Sequence, residues 1–147
     1  MNSYLPYLGA VIVAAGLGSY FTNIGLHSNT YILLKKPSWY PPGYVFGIVW
    51  SIIYVLYSYS WSKIPNISWI TILFGLNMIL NVLWCYVFFS LQNFVGALLI
   101  LIALVGTLVF QIISLYNYDK TASLLLIPYL LWSSFATFLN YTIIQMN

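Results

Sequence analysis

Charge is the feature this sequence almost lacks, and its scarcity decides the fold. The chain of 147 residues carries four lysines, one aspartate and no arginine, so 3% of its positions are charged. Soluble domains carry about 25%. With 63% hydrophobic residues and a mean hydropathy of +0.95, the chain cannot cover its surface with polar groups. Its solvent is therefore lipid. The apolar runs are apolar on every face, whereas strands of a membrane barrel alternate. That pattern predicts helices, which satisfy their own backbone in hydrocarbon. A span needs about 20 residues, and five spans take roughly 100, leaving short loops and no room for a soluble domain. The expected fold class is an all-α membrane protein, a five-transmembrane-helix bundle forming one domain over residues 1–147. The spans fall at about 4–26, 44–61, 67–90, 94–116 and 121–145.

What is missing excludes several functions. A formal charge of +3 without arginine is too little to track phosphates, so no nucleic acid is expected as partner. The single acid, Asp119, sits in a turn, so no span holds the carboxylate that proton-coupled pumps normally use. Paired-carboxylate catalysis is excluded for the same reason. His27 and Asp119 end different helices, which argues against a Ser-His-Asp arrangement. No cluster has metal-ligand spacing, and neither metal nor cofactor is expected. Cys85 is the only cysteine, so an internal disulfide is impossible. No basic region precedes the first apolar run, which reads as a spanning helix rather than a cleaved signal. Lys35 and Lys36 lie on one side of the membrane and Lys63 and Lys120 on the other, so the positive-inside rule gives no orientation.

Amides and aromatics remain. Asn77, Asn81 and Trp84 fall at i, i+4 and i+7, on one face of the third span. Two asparagines in lipid need partners; interhelical hydrogen bonds and ligand contact are both open, and compatible. In the fifth span, Tyr129, Trp132, Ser133, Ala136 and Asn140 form one stripe just after Pro128, where a kink is expected. That stripe reads either as a packed seam or as a pocket wall. In the second span, Phe46, Trp50, Ile53, Tyr54 and Tyr57 share a face. Trp61 and Trp69, near span ends, are expected at the membrane interface. Trp50, Trp84 and Trp132 lie deeper, where an indole N–H needs a partner, and are the better pocket candidates. A bundle enclosing these stripes would hold a large, flat, mostly apolar ligand.

Between the first two spans runs KKPSWYPPGYVFGIVWSIIY, Lys35 to Tyr54, with three of the six prolines. Pro37, Pro41 and Pro42 preset the backbone where the first loop becomes the second span. A preset loop loses less entropy on closing over a ligand. Lys35 and Lys36 are either interface anchors or attractors for an anionic ligand; snorkelling at membrane edges favours anchors.

Three segments carry a family resemblance. Lys36–Tyr54 resembles the hallmark K-P-S-W-x-P-P-x-x-x-F-G-x-V-W-x-x-x-Y of the translocator protein family, also called tryptophan-rich sensory proteins or peripheral benzodiazepine receptors. Asn77-x-x-x-Asn81-x-x-Trp84, followed by Phe88 and Phe89, resembles that family's third helix. Leu126 to Tyr141, LIPYLLWSSFATFLNY, resembles its fifth. The resemblance implies a five-helix bundle, often a homodimer, with a pocket opening on the side of the first loop. It implies a bacterial inner membrane or a mitochondrial outer membrane. It implies a receptor or carrier for porphyrins such as protoporphyrin IX and haem, and in animal members for sterol and benzodiazepine-type ligands. Some bacterial members are reported to promote light-dependent oxidative porphyrin breakdown, the enzymatic alternative, in which Trp50 and Trp132 would take part as redox partners. A purely structural membrane subunit is the third reading. By motif position, Trp50 and Trp132 face the porphyrin and Tyr31 covers the pocket. Trp39, Phe46, Tyr54, Asn77, Asn81, Trp84, Ser133 and Ala136 complete the implied ligand-binding set. One departure concerns sterol: Tyr141 is followed by TIIQMN, without the basic residue that the cholesterol-recognition pattern needs.

Overall fold

Unbroken apolar runs closed by polar caps produce the observed elements. In this computed structural model, which describes residues 4–64 and 68–147, the helices are α1 (Tyr4–Leu26), α2 (Asn29–Ile32), α3 (Gly43–Ser62), α4 (Ser68–Cys85), α5 (Phe94–Tyr116), α6 (Lys120–Leu124) and α7 (Ile127–Met146). Among the described residues, five stretches are long and apolar enough to cross a membrane. The turn assigned to Pro65 and Asn66, and the helix start at Ile67, lie outside the described residues. Caps mark the turns: Ser28 accepts from the Tyr31 N–H, Asn93 from Gly96 and Asp119 from Ala122. The one acid of the chain is thus a helix cap.

The spans close into a ring. α1 packs against α3 and α4, α5 packs against α4 and α7, and α3 meets α7 to complete it. Loop 1 (residues 27–42), the 91–93 turn and the C-terminus share one side of the bundle. Two buried clusters fill it. Ile53, Tyr57, Phe74, Leu108 and Tyr129 belong to one. Trp84, Phe88, Leu101, Ala136 and Ile143 belong to the other, nearer loop 1.

Three local features differ from the sequence expectation. The fifth span is not one kinked helix over 121–145. It breaks at Leu125 and Leu126, and Pro128 stands in the first turn of α7, where a missing N–H costs no helical bond. Ser60 and Ser123 hold α6 in place by donating to the carbonyls of Ala122 and Ile112, each at 2.7 Å. Trp61 is not an interface residue: it is buried, stacked on Phe74 with ring centroids 5.6 Å apart. Trp69 does lie exposed. The third span ends in a π-helical turn, Tyr86–Ser90, closed by the Leu91 N–H on the Tyr86 carbonyl.

That wide turn is matched by Gly25 at the end of α1. A β-carbon at Gly25 would stand 2.5 Å from both the Phe89 Cβ and the Phe89 carbonyl oxygen. Only glycine permits this approach, and Ser90 adds a hydrogen bond to the Phe21 carbonyl at 3.1 Å. Gly25→Ala is therefore expected to lower stability by about 1–3 kcal/mol in thermal unfolding of detergent-solubilised protein. Gly16→Ala, with no atom within 4 Å of the new methyl, serves as control; equal melting temperatures for the two variants would contradict the packing account.

Candidate functional site

A cavity of about 500 Å3 lies in the half of the bundle beneath loop 1. That volume is within the range of drug-sized ligand sites. The proline-primed start of α3 aims Phe46, Trp50 and Tyr54 along one helical stripe into it. α4 contributes Trp84, Cys85 and, through the π turn, Phe89. α1 supplies the opposite wall with Ala15, Gly18, Ser19, Thr22, Asn23 and Leu26. Trp50 stacks on Tyr54, centroids 5.6 Å apart and planes 26° from parallel. The site is thus an aromatic slab facing a wall of small and weakly polar side chains.

Loop 1 forms the roof. Tyr31 and Tyr40, both lining the cavity, join hydroxyl to hydroxyl at 2.7 Å. Burial raises the Tyr31 hydroxyl above the usual tyrosine range, partly offset by the hydrogen bond from Tyr40. Burial raises Tyr40 further, with the Tyr31 hydrogen bond adding to it. Both stay protonated near neutral pH. The Lys36 ammonium sits 4.1 Å from the centroid of the Tyr31 ring, a cation–π contact, so its charge stands at the roof. Lys35 is held differently: its backbone N–H donates to the Asn147 Oδ1 at 3.0 Å and its carbonyl accepts from Nδ2 at 2.9 Å. Loop 1 is thereby pinned to the end of α7. Gln92, in the left-handed region at φ 56°, sends its side chain to the Ser28 hydroxyl.

Behind the α3 stripe runs a buried hydrogen-bond chain. Tyr54 donates to Asn81 Oδ1 at 2.9 Å, Asn81 Nδ2 donates to the Tyr129 hydroxyl at 3.1 Å, and Tyr129 donates to Asn77 Oδ1 at 2.7 Å. Asn77 Nδ2 donates to Thr107 Oγ1 at 2.7 Å, which donates to the Leu104 carbonyl at 2.7 Å. Four spans are joined by these groups.

The predicted site residues therefore divide. Tyr31, Phe46, Trp50, Tyr54 and Trp84 line the cavity. Asn77 and Asn81 do not; they are fully buried in the chain behind it. Trp132 stands one ring back, edge-on to Phe46 at 5.6 Å, with its buried Nε1 unpartnered. Ser133 donates to the Tyr129 carbonyl at 2.7 Å, and Ala136 packs in the cluster around Trp84. Trp39 faces away, stacked on Phe138 of α7 with centroids 5.4 Å apart; it fastens the loop from outside. The α7 stripe is a packed seam. Trp84 Nε1 donates to Asn140 Oδ1 at 3.3 Å, giving each the partner it needed.

The α1 wall was missed by sequence reasoning. Ala15, Gly18, Ser19, Thr22, Asn23 and Leu26 fall at i, i+3, i+4, i+7, i+8 and i+11, so the periodic signal was present. Small residues suit close helix packing as readily as the wall of a cavity. Among the described residues no three His, Cys, Asp or Glu side chains converge on a metal site. The arrangement offers ring faces, hydroxyls and one nearby cation, which suit binding.

Tyr129 is the node of the buried chain, accepting from one asparagine and donating to the other. Tyr129→Phe strands both and is expected to destabilise the protein by about 1–3 kcal/mol. Ser134→Ala, which removes an exposed hydroxyl, should change stability by less than about 0.5 kcal/mol. Thermal unfolding in detergent compares the two; an unaffected Tyr129→Phe would show that the chain adds nothing to stability.

Comparison with known proteins gives the family. Residues 7–146 match the TspO/MBR family. The chain is 34% identical over 124 residues to the tryptophan-rich protein TspO of Chlorobaculum tepidum, covering 80% of this chain and 78% of that protein. It is 29% identical over 155 residues to the human translocator protein, covering 98% and 91%, and 26% identical over 147 residues to the tryptophan-rich sensory protein of Cereibacter sphaeroides, covering 98% and 90%. With five membrane-crossing stretches and a match across nearly its whole length, the chain is a multi-pass integral membrane protein that belongs to the TspO/MBR family.

Proposed function

We propose that this protein is a membrane receptor or carrier for porphyrins, protoporphyrin IX and haem among them, and for related flat apolar ligands. The observation that carries this reading is the cavity of about 500 Å3 between the Phe46–Trp50–Tyr54 stripe and the small-residue wall of α1. A flat ring system gains most from stacking on such a slab. The roof supplies Lys36 and the tyrosine pair at the end where the carboxylates of an anionic porphyrin would lie. Lys36 is thus better read as a ligand attractor than as a free interface anchor. The names of relatives, translocator and sensory protein, fit a carrier and a receptor respectively. Sterol and benzodiazepine-type ligands belong to the same reading as further apolar occupants, with sterol the weaker for want of a basic residue after Tyr141. A homodimer is part of the proposal, as is a bacterial inner or mitochondrial outer membrane. Ala10 and Ala14 of α1 and Gly75 of α4 line a lipid-facing groove where small residues would let a second copy approach.

A second reading, light- and oxygen-dependent porphyrin breakdown, is favoured by the two indoles at the cavity wall, Trp50 and Trp84. Under it the pigment supplies the oxidising chemistry and the indoles act as redox partners.

Titrating protoporphyrin IX into detergent-purified protein and following its visible absorbance should give saturable binding. Trp50→Phe is expected to weaken it about fivefold, Trp132→Phe less, and Trp69→Phe not at all. Wild-type affinity in Trp50→Phe would count against this site. Illuminating the complex separates the two readings: pigment loss no faster than for free porphyrin in detergent leaves the receptor or carrier.

A further inference from the structure

The buried chain has a direction, and that direction reaches the cavity. It starts at the Leu104 carbonyl, which can only accept. Thr107 donates its one hydroxyl proton to it at 2.7 Å, so the Thr107 oxygen can only accept from Asn77 at 2.7 Å. The Asn77 atom facing Thr107 must therefore be Nδ2. Reversing that amide would set its oxygen towards the Leu104 carbonyl, which Nδ2 meets at 3.4 Å, with two acceptors opposed. With Nδ2 fixed, Asn77 Oδ1 faces Tyr129, which must donate. The Tyr129 oxygen can then only accept, so Asn81 presents Nδ2 to it. Asn81 Oδ1 is left facing Tyr54, which must donate. Each step follows from the donor and acceptor inventory of the groups.

Tyr54 is the one member of this chain that lines the cavity. Its proton is committed to Asn81, so its oxygen has only lone pairs to offer a ligand. One turn away on the same helix, Ser51 also lines the cavity, and its hydroxyl donates to the Gly47 carbonyl at 2.7 Å. With that bond made, the Ser51 oxygen also presents a lone pair. The roof has the opposite character. Of the two hydroxyl protons of Tyr31 and Tyr40, one lies between the oxygens and the other is free to donate, with the Lys36 ammonium beside it.

We propose that the cavity selects its ligand by hydrogen-bond polarity: Tyr54 Oη, at the end of the α3 stripe farthest from loop 1, accepts from an N–H or O–H at the buried end of a flat apolar ligand, whose acceptor or anionic groups face the tyrosine roof. This rests on the cavity being the binding site. An unpaired ligand acceptor facing Tyr54 would be disfavoured, because an acceptor-only oxygen leaves it unsatisfied in a water-poor site.

Three flat tricyclic probes test this. Carbazole carries one N–H donor, dibenzofuran has the same shape without it, and acridine carries a ring-nitrogen acceptor. Isothermal titration of each into detergent-purified protein should show carbazole binding about 3- to 10-fold more tightly than dibenzofuran, the range expected for one hydrogen bond. In Tyr54→Phe that ratio should fall to about one. Asn81→Leu frees the Tyr54 proton and should raise acridine affinity severalfold. If Asn81→Leu does not fold, the wild-type ratio and Tyr54→Phe decide the matter alone. Equal wild-type affinities for carbazole and dibenzofuran, with both saturable, overturn the polarity proposal and leave the cavity standing. A ratio that survives in Tyr54→Phe overturns the role of Tyr54. No saturable binding of any probe overturns the cavity as the binding site and this inference with it.

Discussion

Everything in this bundle rests on finding hydrogen-bond partners where there is no water. Asn77 and Asn81 are fully buried, and an unpartnered amide in hydrocarbon costs several kcal/mol. Their solution joins Thr107, Tyr129 and Tyr54 into one chain of bonds. The hydrophobic effect does not order helices in lipid, since tails are as apolar as leucine, and packing and hydrogen bonds must do so. A directional chain across four spans fixes how α3, α4, α5 and α7 sit against one another. It also sets the position of Tyr54, and with Tyr54 the aromatic wall on which Trp50 stacks. The structural and binding roles of the asparagines are therefore one arrangement seen from two sides. A few groups stay outside it: Trp61 Nε1, Trp132 Nε1 and Gln111 Oε1 are buried without partners.

α1 and α4 touch closely along the edge of the cavity, where a β-carbon at Gly18 would meet the Cys85 Sγ at 3.3 Å. Gly25 meets the backbone of Phe89 at the end near loop 1, and the π turn supplies the backbone that it meets. π turns are often found at functional sites. This one rotates Phe89 into the cavity just after Trp84 and Cys85. Loop 1 is fastened over the result from three directions. Trp39 grips α7 from outside, Asn147 clasps Lys35, and Gln92 reaches Ser28. A loop so restrained has little further entropy to lose when a ligand arrives.

Much of this was legible in the sequence. Scarce charge and unbroken apolar runs dictated lipid and helices, and the first and fourth spans end where polar residues said they would. Of the stripe Phe46, Trp50, Ile53, Tyr54 and Tyr57, three residues line the cavity, whereas Ile53 and Tyr57 pack in the buried core. Periodicity could not say what each stripe faces, and there the expectations diverged. Asn77, Asn81 and Trp84 share one face, yet only Trp84, two turns beyond Asn77, reaches the level of the cavity. Sequence alone predicts a kink at Pro128, but tertiary bonds from Ser60 and Ser123 stabilise a separate α6 and let the proline begin α7. Its distance from the helix end predicts Trp61 at the interface, whereas Tyr7, Tyr57 and Phe74 enclose it. The α1 wall was hidden because glycine, alanine and serine signal close packing and open space equally well.

The central claim is that ligand occupies the space under loop 1 between α1 and the aromatic stripe of α3. A structure of the protein with protoporphyrin IX tests it most directly. The account predicts the macrocycle against Trp50 and Tyr54, with its carboxylates towards Lys36 and the Tyr31–Tyr40 pair. Porphyrin seated instead in the lipid-facing groove of Ala14, Gly75 and Met78, with the space under loop 1 empty, would contradict it.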